Sequence, residues 1–177
     1  PNHESFSQPG DMPRAIRDFC DSTGQPAPTE PADLVRCIFE SLALKHAEVV
    51  ELLRSVTGRE LTEIHVVGGG ARNELLCRWT ADASGLPVLV GPEEATLLGN
   101  GLVQLMSLGE VGSVEEARDV VRASFERTAW EPSDHARWLE ARERFAQVTA
   151  QTKAVELHAS TSPRAASTPG ACTAWRC

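Results

Sequence analysis

IHVVGGGARNELLCRWTADASG, residues 64–85, joins three signals in one line. Ile64, His65, Val66 and Val67 form a short run rich in β-branched residues, which suits a buried strand. Gly68, Gly69 and Gly70 follow at once. Without side chains they let the backbone turn abruptly and bring its N–H groups close to a ligand. Leu75, Leu76, Trp79 and Ala83 then share one helical face, and Gly85 with Pro87 ends that helix. A second apolar run over 87–90 makes the unit β-α-β with parallel strands.

Upstream, Leu34, Ile38, Leu42, Val49, Leu53 and Val56 recur mostly at three, four and seven, with Val35 and Phe39 widening the stripe. This spacing predicts a long core-facing helix, with Pro31 in its first turn, Glu30 as its cap and Gly58 as its stop. Residues 1–30 read as an irregular leading segment with a short helix over 14–20. Downstream, Gly91 and Pro92 turn the chain into a helix over about 95–107. Its Gly99 and Gly101 cost helix propensity unless close backbone packing needs them. Ser113 and Glu116 form a capping box for a helix to Arg122. Ser133 is expected to cap a final helix containing Trp138, Leu139, Arg142 and Phe145, with residues 125–130 extended before it. The fold class is α/β: a β-α-β core, a long helix before it and helices after it. Residues 31–148 form the domain. Residues 149–177, rich in Ser, Thr, Ala and Pro from about Gln151, are expected to be a disordered tail.

The 177 residues are 41% hydrophobic, enough for a core, and carry a net charge of -8. That charge argues against a nucleic-acid partner while leaving room for a local anion site built from backbone donors. No run approaches the ~18 apolar residues of a membrane span, and no basic region with an apolar signal core opens the chain, so a cytoplasmic protein with no membrane partner is expected. Cys20, Cys37, Cys77, Cys172 and Cys177 are odd in number and show no CxxC spacing, so neither a zinc site nor a secreted disulfide framework is expected. Pro1 stands where Met would open a reading frame, which points to a fragment, a processed product or a truncated frame.

The glycine run matches neither GxGxxG nor GxxxxGK[ST], so its spacing alone is a weak ligand signal. Three blocks in order carry more: LVRCIFESLALKHAEVV, VVGGGARNELLCRWTADASGLPV and EEATLLGNGLVQ. Together they resemble the C-terminal domain of the FGGY carbohydrate kinases, most of all the branch that phosphorylates L-rhamnulose. The resemblance implies a partial actin-like (ribonuclease-H-like) ATPase domain. It also implies ATP or ADP as ligand, Mg2+ arriving with the nucleotide and without a protein ligand here, and a sugar substrate only in the complete enzyme. It places Gly69 and Asn73 against the nucleotide, with Gly68 and Gly70 shaping the loop. At a helix start the Asn73 amide can equally cap backbone N–H groups, and both roles stand open. The family's phosphate loop, sugar-binding groups and catalytic Asp lie upstream of the matching segment. No catalytic residue is therefore expected in this chain, and the partner implied is the missing N-terminal kinase domain.

Other polar residues have ordinary explanations. Glu93, Glu94 and Thr96 match a family block but sit at a helix start, where acids are favoured by the dipole. Asp82 is read as a local hydrogen-bond acceptor, His65 as a packed, hydrogen-bonded imidazole, and Arg36 with Glu40 as an ion pair one turn apart. The resemblance also implies a pairing of Cys20 with Cys37. A cytosolic redox poise opposes a permanent bond, so the disulfide stays open. The alternative to a kinase part is a catalytically inactive remnant or a stand-alone nucleotide-binding module.

Overall fold

The computed structural model describes residues 3–7, 9–126 and 128–161; for residue 4 and residues 153–161 it describes the backbone only. Helix α1 (Met12–Ser22) begins where the Asp11 side chain accepts from Arg14 N. The long helix α2 (Pro31–Thr57) starts at Pro31, without a side-chain bond from Glu30, and ends at Gly58, whose φ of 63° is left-handed. Then come β1 (Ile64–Val66), α3 (Glu74–Ser84), β2 (Val88–Val90), α4 (Ala95–Leu108), α5 (Val114–Ser124), β3 (Thr128–Trp130) and α6 (His135–Thr161). Between β1 and α3 the glycines form a 3-10 helical turn, Gly68–Arg72.

The sheet order is β1-β2-β3. β1 and β2 are parallel, with Ile64 opposite Val88, as the β-α-β reading requires. β3 adds an antiparallel edge, Trp130 opposite Val88. Ile64, Val66, Val90 and Trp130 pack one sheet face onto the buried Cys77, Ala81 and Val88. Beneath that layer Ala43, Leu44 and Ala47 of α2, Ala83 of α3 and Trp138 of α6 form a second core with Trp79 and Phe145 at its rim. The Trp79 and Trp138 rings lie 5.9 Å apart. Full burial of Val88 alone is worth about 2 kcal/mol.

Several expectations change. The face of α2 that meets α3 carries Ala43, Leu44, Ala47 and Val50, while Val35, Val49, Leu53 and Val56 are exposed. Alanines let two helix backbones approach closely, which a count of large apolar residues overlooks. β1 is covered on one side only: His65 is exposed and bonds Glu63 Oε1 at 2.8 Å instead of packing in a core. Asp82 is not a local acceptor. It is buried and takes bonds from Ser133 N (2.6 Å), Ser133 Oγ (3.1 Å) and Asp134 N (3.0 Å), which ties α3 to the start of α6. Ser133 thus donates to Asp82 instead of capping the helix itself. Helix α6 runs past the point where the tail was expected to begin, and the rest of that stretch, including Cys172 and Cys177, lies outside the described residues.

Other local readings hold. Ser113 Oγ accepts from Glu116 N at 3.1 Å and Glu116 reaches back to Gly112 N at 2.7 Å, closing the capping arrangement one residue wider than usual. Arg36 and Glu40 pair at 2.8 Å. Cys20 and Cys37 are thiols; burial pushes the Cys20 thiol up, as does the neighbouring Cys37, which hydrogen-bonds it. Among the described residues no helix is long and apolar enough to cross a membrane.

Candidate functional site

In an open sheet of parallel strands, ligands bind outside the carboxyl ends of the strands, where loops lead into helices. Here two such loops meet. The one after β1 runs through residues 67–73, the one after β2 through residues 91–94. Gly91 N donates to Val66 O at 2.9 Å and Gly68 N donates to Pro92 O at 3.1 Å, so the two loops are joined by backbone bonds at both ends. A Cβ on Gly91 would stand 2.9 Å from Cγ1 of the exposed Val67, so a side chain there would make Val67 shift.

The four residues expected at the nucleotide, Gly68, Gly69, Gly70 and Asn73, fall in this turn, and each does a different job. Gly68 has φ +78°, a left-handed conformation that L side chains rarely adopt. Gly70 O accepts from Asn73 N at 3.1 Å, closing the 3-10 turn. Gly69 is exposed, its φ is ordinary, and a Cβ built on it would meet nothing within 4 Å. The fold of this chain does not require glycine at 69.

Asn73 is the N-cap of α3. Its Oδ1 accepts from Leu76 N at 3.0 Å, and its carbonyl accepts from Cys77 N at 3.0 Å. Of the two roles open from the sequence, the capping role is made. It occupies the amide oxygen and leaves the chemistry of the NH2 group, two donors, unspent by the cap.

Arg72 and Glu93 were not expected to meet. Their side chains bridge the two loops at 2.5 Å, and Glu93 pushes the Arg72 guanidinium further up from its already high range. Both side chains are largely exposed, so the pair orients more than it stabilises. Glu94 stands at the N-cap of α4 without a side-chain bond, and Thr96 is exposed. The signal that could have found Arg72 was its place inside the turn, one residue before the cap.

Beside these loops is a concavity of about 440 Å³, lined by Gly91, Pro92, Glu93, Leu97, Leu98 and Phe125. A larger one of about 510 Å³ lies away from the strand ends, between α1, α2 and α6, with Ile16, Phe19, Ile38, Leu42 and Phe145 among its walls. The first lies beside the strand ends and the α4 N-terminus, which makes it the better ligand candidate by position, although Glu94 and Glu126 also line it and residues 68–73 do not.

Comparison with known proteins identifies the family. The sequence profile of the FGGY family of carbohydrate kinases, C-terminal domain, matches residues 1–108. A rhamnulokinase of Bacteroides thetaiotaomicron is 45% identical over 138 residues, which cover 78% of this chain and 28% of that protein. A rhamnulokinase of Enterobacter sp. (strain 638) is 43% identical over 132 residues, 75% of this chain and 27% of that protein. The chain thus spans little more than a quarter of the length of these curated relatives. With the profile covering 108 of its 177 residues, the chain belongs to the FGGY family of carbohydrate kinases and carries that family's C-terminal domain, an actin-like ATPase fold.

Proposed function

We propose that this chain is the C-terminal, adenine-nucleotide-binding part of an ATP-dependent sugar kinase of the rhamnulokinase type, acting in the cytoplasm. In the whole enzyme ATP would phosphorylate L-rhamnulose, with the sugar pocket and the catalytic carboxylate supplied by residues outside these 177. The observation that carries the nucleotide site is the turn itself. Gly69 is free of any side-chain requirement from its own fold, yet lies between a left-handed glycine and a helix N-cap, where an approaching ligand needs the room. Backbone N–H groups and the α3 N-terminus favour negative charge there, and the Asn73 NH2 can donate to a ribose or base acceptor. Mg2+ would arrive with the phosphates and offset their charge. The sugar assignment rests on the names of the two relatives.

Titration calorimetry with ADP on the 177-residue chain tests the site. Gly69→Val has an ordinary backbone conformation and its Cβ meets no neighbour within 4 Å, so it should fold as the parent does and bind ADP at least about tenfold more weakly, ~1.4 kcal/mol. Asn73→Ser keeps a capping oxygen and removes the amide donors, so it should melt near the parent temperature and still lose affinity. Parent-like affinity in both variants contradicts the placement. The alternative, an inactive remnant or stand-alone module, differs in one respect: supplying the rest of a rhamnulokinase does not yield L-rhamnulose phosphorylation.

A further inference from the structure

Arg72 closes the glycine turn, and the geometry of that turn decides where its side chain stands. A 3-10 helix has three residues per turn, so positions three apart lie over one another. In the turn Gly68–Arg72 this puts Arg72 on the same side as Gly69, while Ala71 points elsewhere and is buried. The arginine therefore shares the face on which a Cβ at Gly69 would meet nothing within 4 Å. It does not fold over that opening. Its Nε donates to Glu93 Oε2 in the loop after β2, which draws the guanidinium aside and leaves the space over Gly69 clear.

That bond also sets what the guanidinium can still do. The group carries five N–H donors in a rigid planar fork. Nε is engaged by Glu93, whereas the two terminal nitrogens enter no hydrogen bond among the described residues. With 69% of the side chain exposed, this end is open to a ligand. Two terminal nitrogens side by side match two oxygens of a phosphate, and hydrogen bonds between charged partners are stronger than neutral ones.

The charges nearby show why an anionic ligand needs such a group. Residues 67–73 and 91–94, the two joined loops, contain one basic residue, Arg72, against two acids, Glu93 and Glu94. Glu126 adds a third carboxylate at the concavity beside them. Backbone donors in the turn favour a phosphate, but three carboxylates repel it. Arg72 is the cation within these loops that offsets them. Glu93 contributes twice, repelling an anion by its charge and holding the guanidinium in one orientation by its hydrogen bond.

We infer that Arg72, steadied through Nε by Glu93, presents its two terminal nitrogens to a phosphate of the bound nucleotide. Arg72 is then a binding residue and Glu93 a positioning residue. This rests on the reading of the glycine turn as a nucleotide site.

The test is calorimetric titration of the 177-residue chain with ADP and with adenosine, which lacks phosphate. Both side chains lie largely in solvent, so Arg72→Gln, Glu93→Ala and the double variant should melt within about 3 °C of the parent. Arg72→Gln should weaken ADP binding at least about fivefold and change adenosine binding by less than about twofold. In the parent, Glu93→Ala both removes a repelling charge and releases the guanidinium, two effects of opposite sign. In the Arg72→Gln background only the first is left. Glu93→Ala should therefore favour ADP at least about threefold more in that background than in the parent, a coupling that a merely structural role would not produce. Equal losses for ADP and adenosine in Arg72→Gln, no loss of ADP affinity, or additive effects of the two substitutions overturn the inference. Any of these results, with ADP still bound by the parent and weakened by Gly69→Val, sinks the role of Arg72 and leaves the nucleotide site standing. A parent chain that binds neither ligand sinks the site and the role together.

Discussion

Gly68, Gly69 and Gly85 look alike in the sequence and are held for different reasons. Gly68 and Gly85 have positive φ, +78° and +69°, so any side chain there strains the backbone. At Gly85 a Cβ would also come within 2.9 Å of the His135 ring, which is pinned because its Nδ1 donates to Asp82 O at 2.7 Å. Gly85→Ala should therefore cost about 2 kcal/mol in urea unfolding, from the left-handed conformation together with the displaced ring. Asp82→Ala removes the acceptor for two backbone amides and a hydroxyl and should cost about 3 kcal/mol, while Asp82→Asn, which retains an acceptor oxygen, should cost less. A Gly85→Ala protein as stable as the parent would contradict this reading of the joint. The glycine turn was legible because its parts are adjacent in the chain. Asp82 and Arg72 were not, because their partners lie 51 and 21 residues away and nothing local announces them.

Among the elements, the junction of α2 and α3 is the most extensive, and it contains a titratable clasp. His46 Nδ1 lies 3.0 Å from Thr80 Oγ1, and burial of the ring lowers its pKa below the ordinary 6.5. An unfolded chain then binds more protons than the folded one in the window just beneath 6.5. Stability contributed here is complete above that pH and declines as the pH falls through the lowered folded value. Because the residue keeps considerable solvent exposure, the decline should be shallow, and His46→Gln should flatten it. A melting-temperature series from pH 7.5 to 5.0 checks this; identical slopes in parent and variant would rule out the clasp. The α-helices were legible as elements because apolar spacing and stops such as Gly58, Gly85 and Gly109 are local signals, whereas Glu30 and Ser133 do not cap as expected. Which face each helix buries was less so. In α2 the stripe of large residues is partly exposed and the small alanines are buried, since close approach of a neighbour is a tertiary fact.

Across the whole molecule the structure is one covered side of a sheet: α2, α3 and α6 pack beneath β1, β2 and β3, with α4 left bare. The β-α-β unit, its parallel pairing and the place of the turn could be read from residues 64–90. The antiparallel β3 was foreshadowed only as an extended stretch, because three residues at a sheet edge carry little pattern of their own. The central claim, that the two joined loops hold an adenine nucleotide, is tested most directly by mapping backbone amide chemical shifts of the chain during an ADP titration. The account predicts saturable shifts concentrated at Gly68, Gly69, Gly70 and Asn73 with a second group at Gly91, Glu93 and Glu94, lost in Gly69→Val. Saturable shifts centred instead on the cavity between α1, α2 and α6, with those loops unmoved, would contradict it.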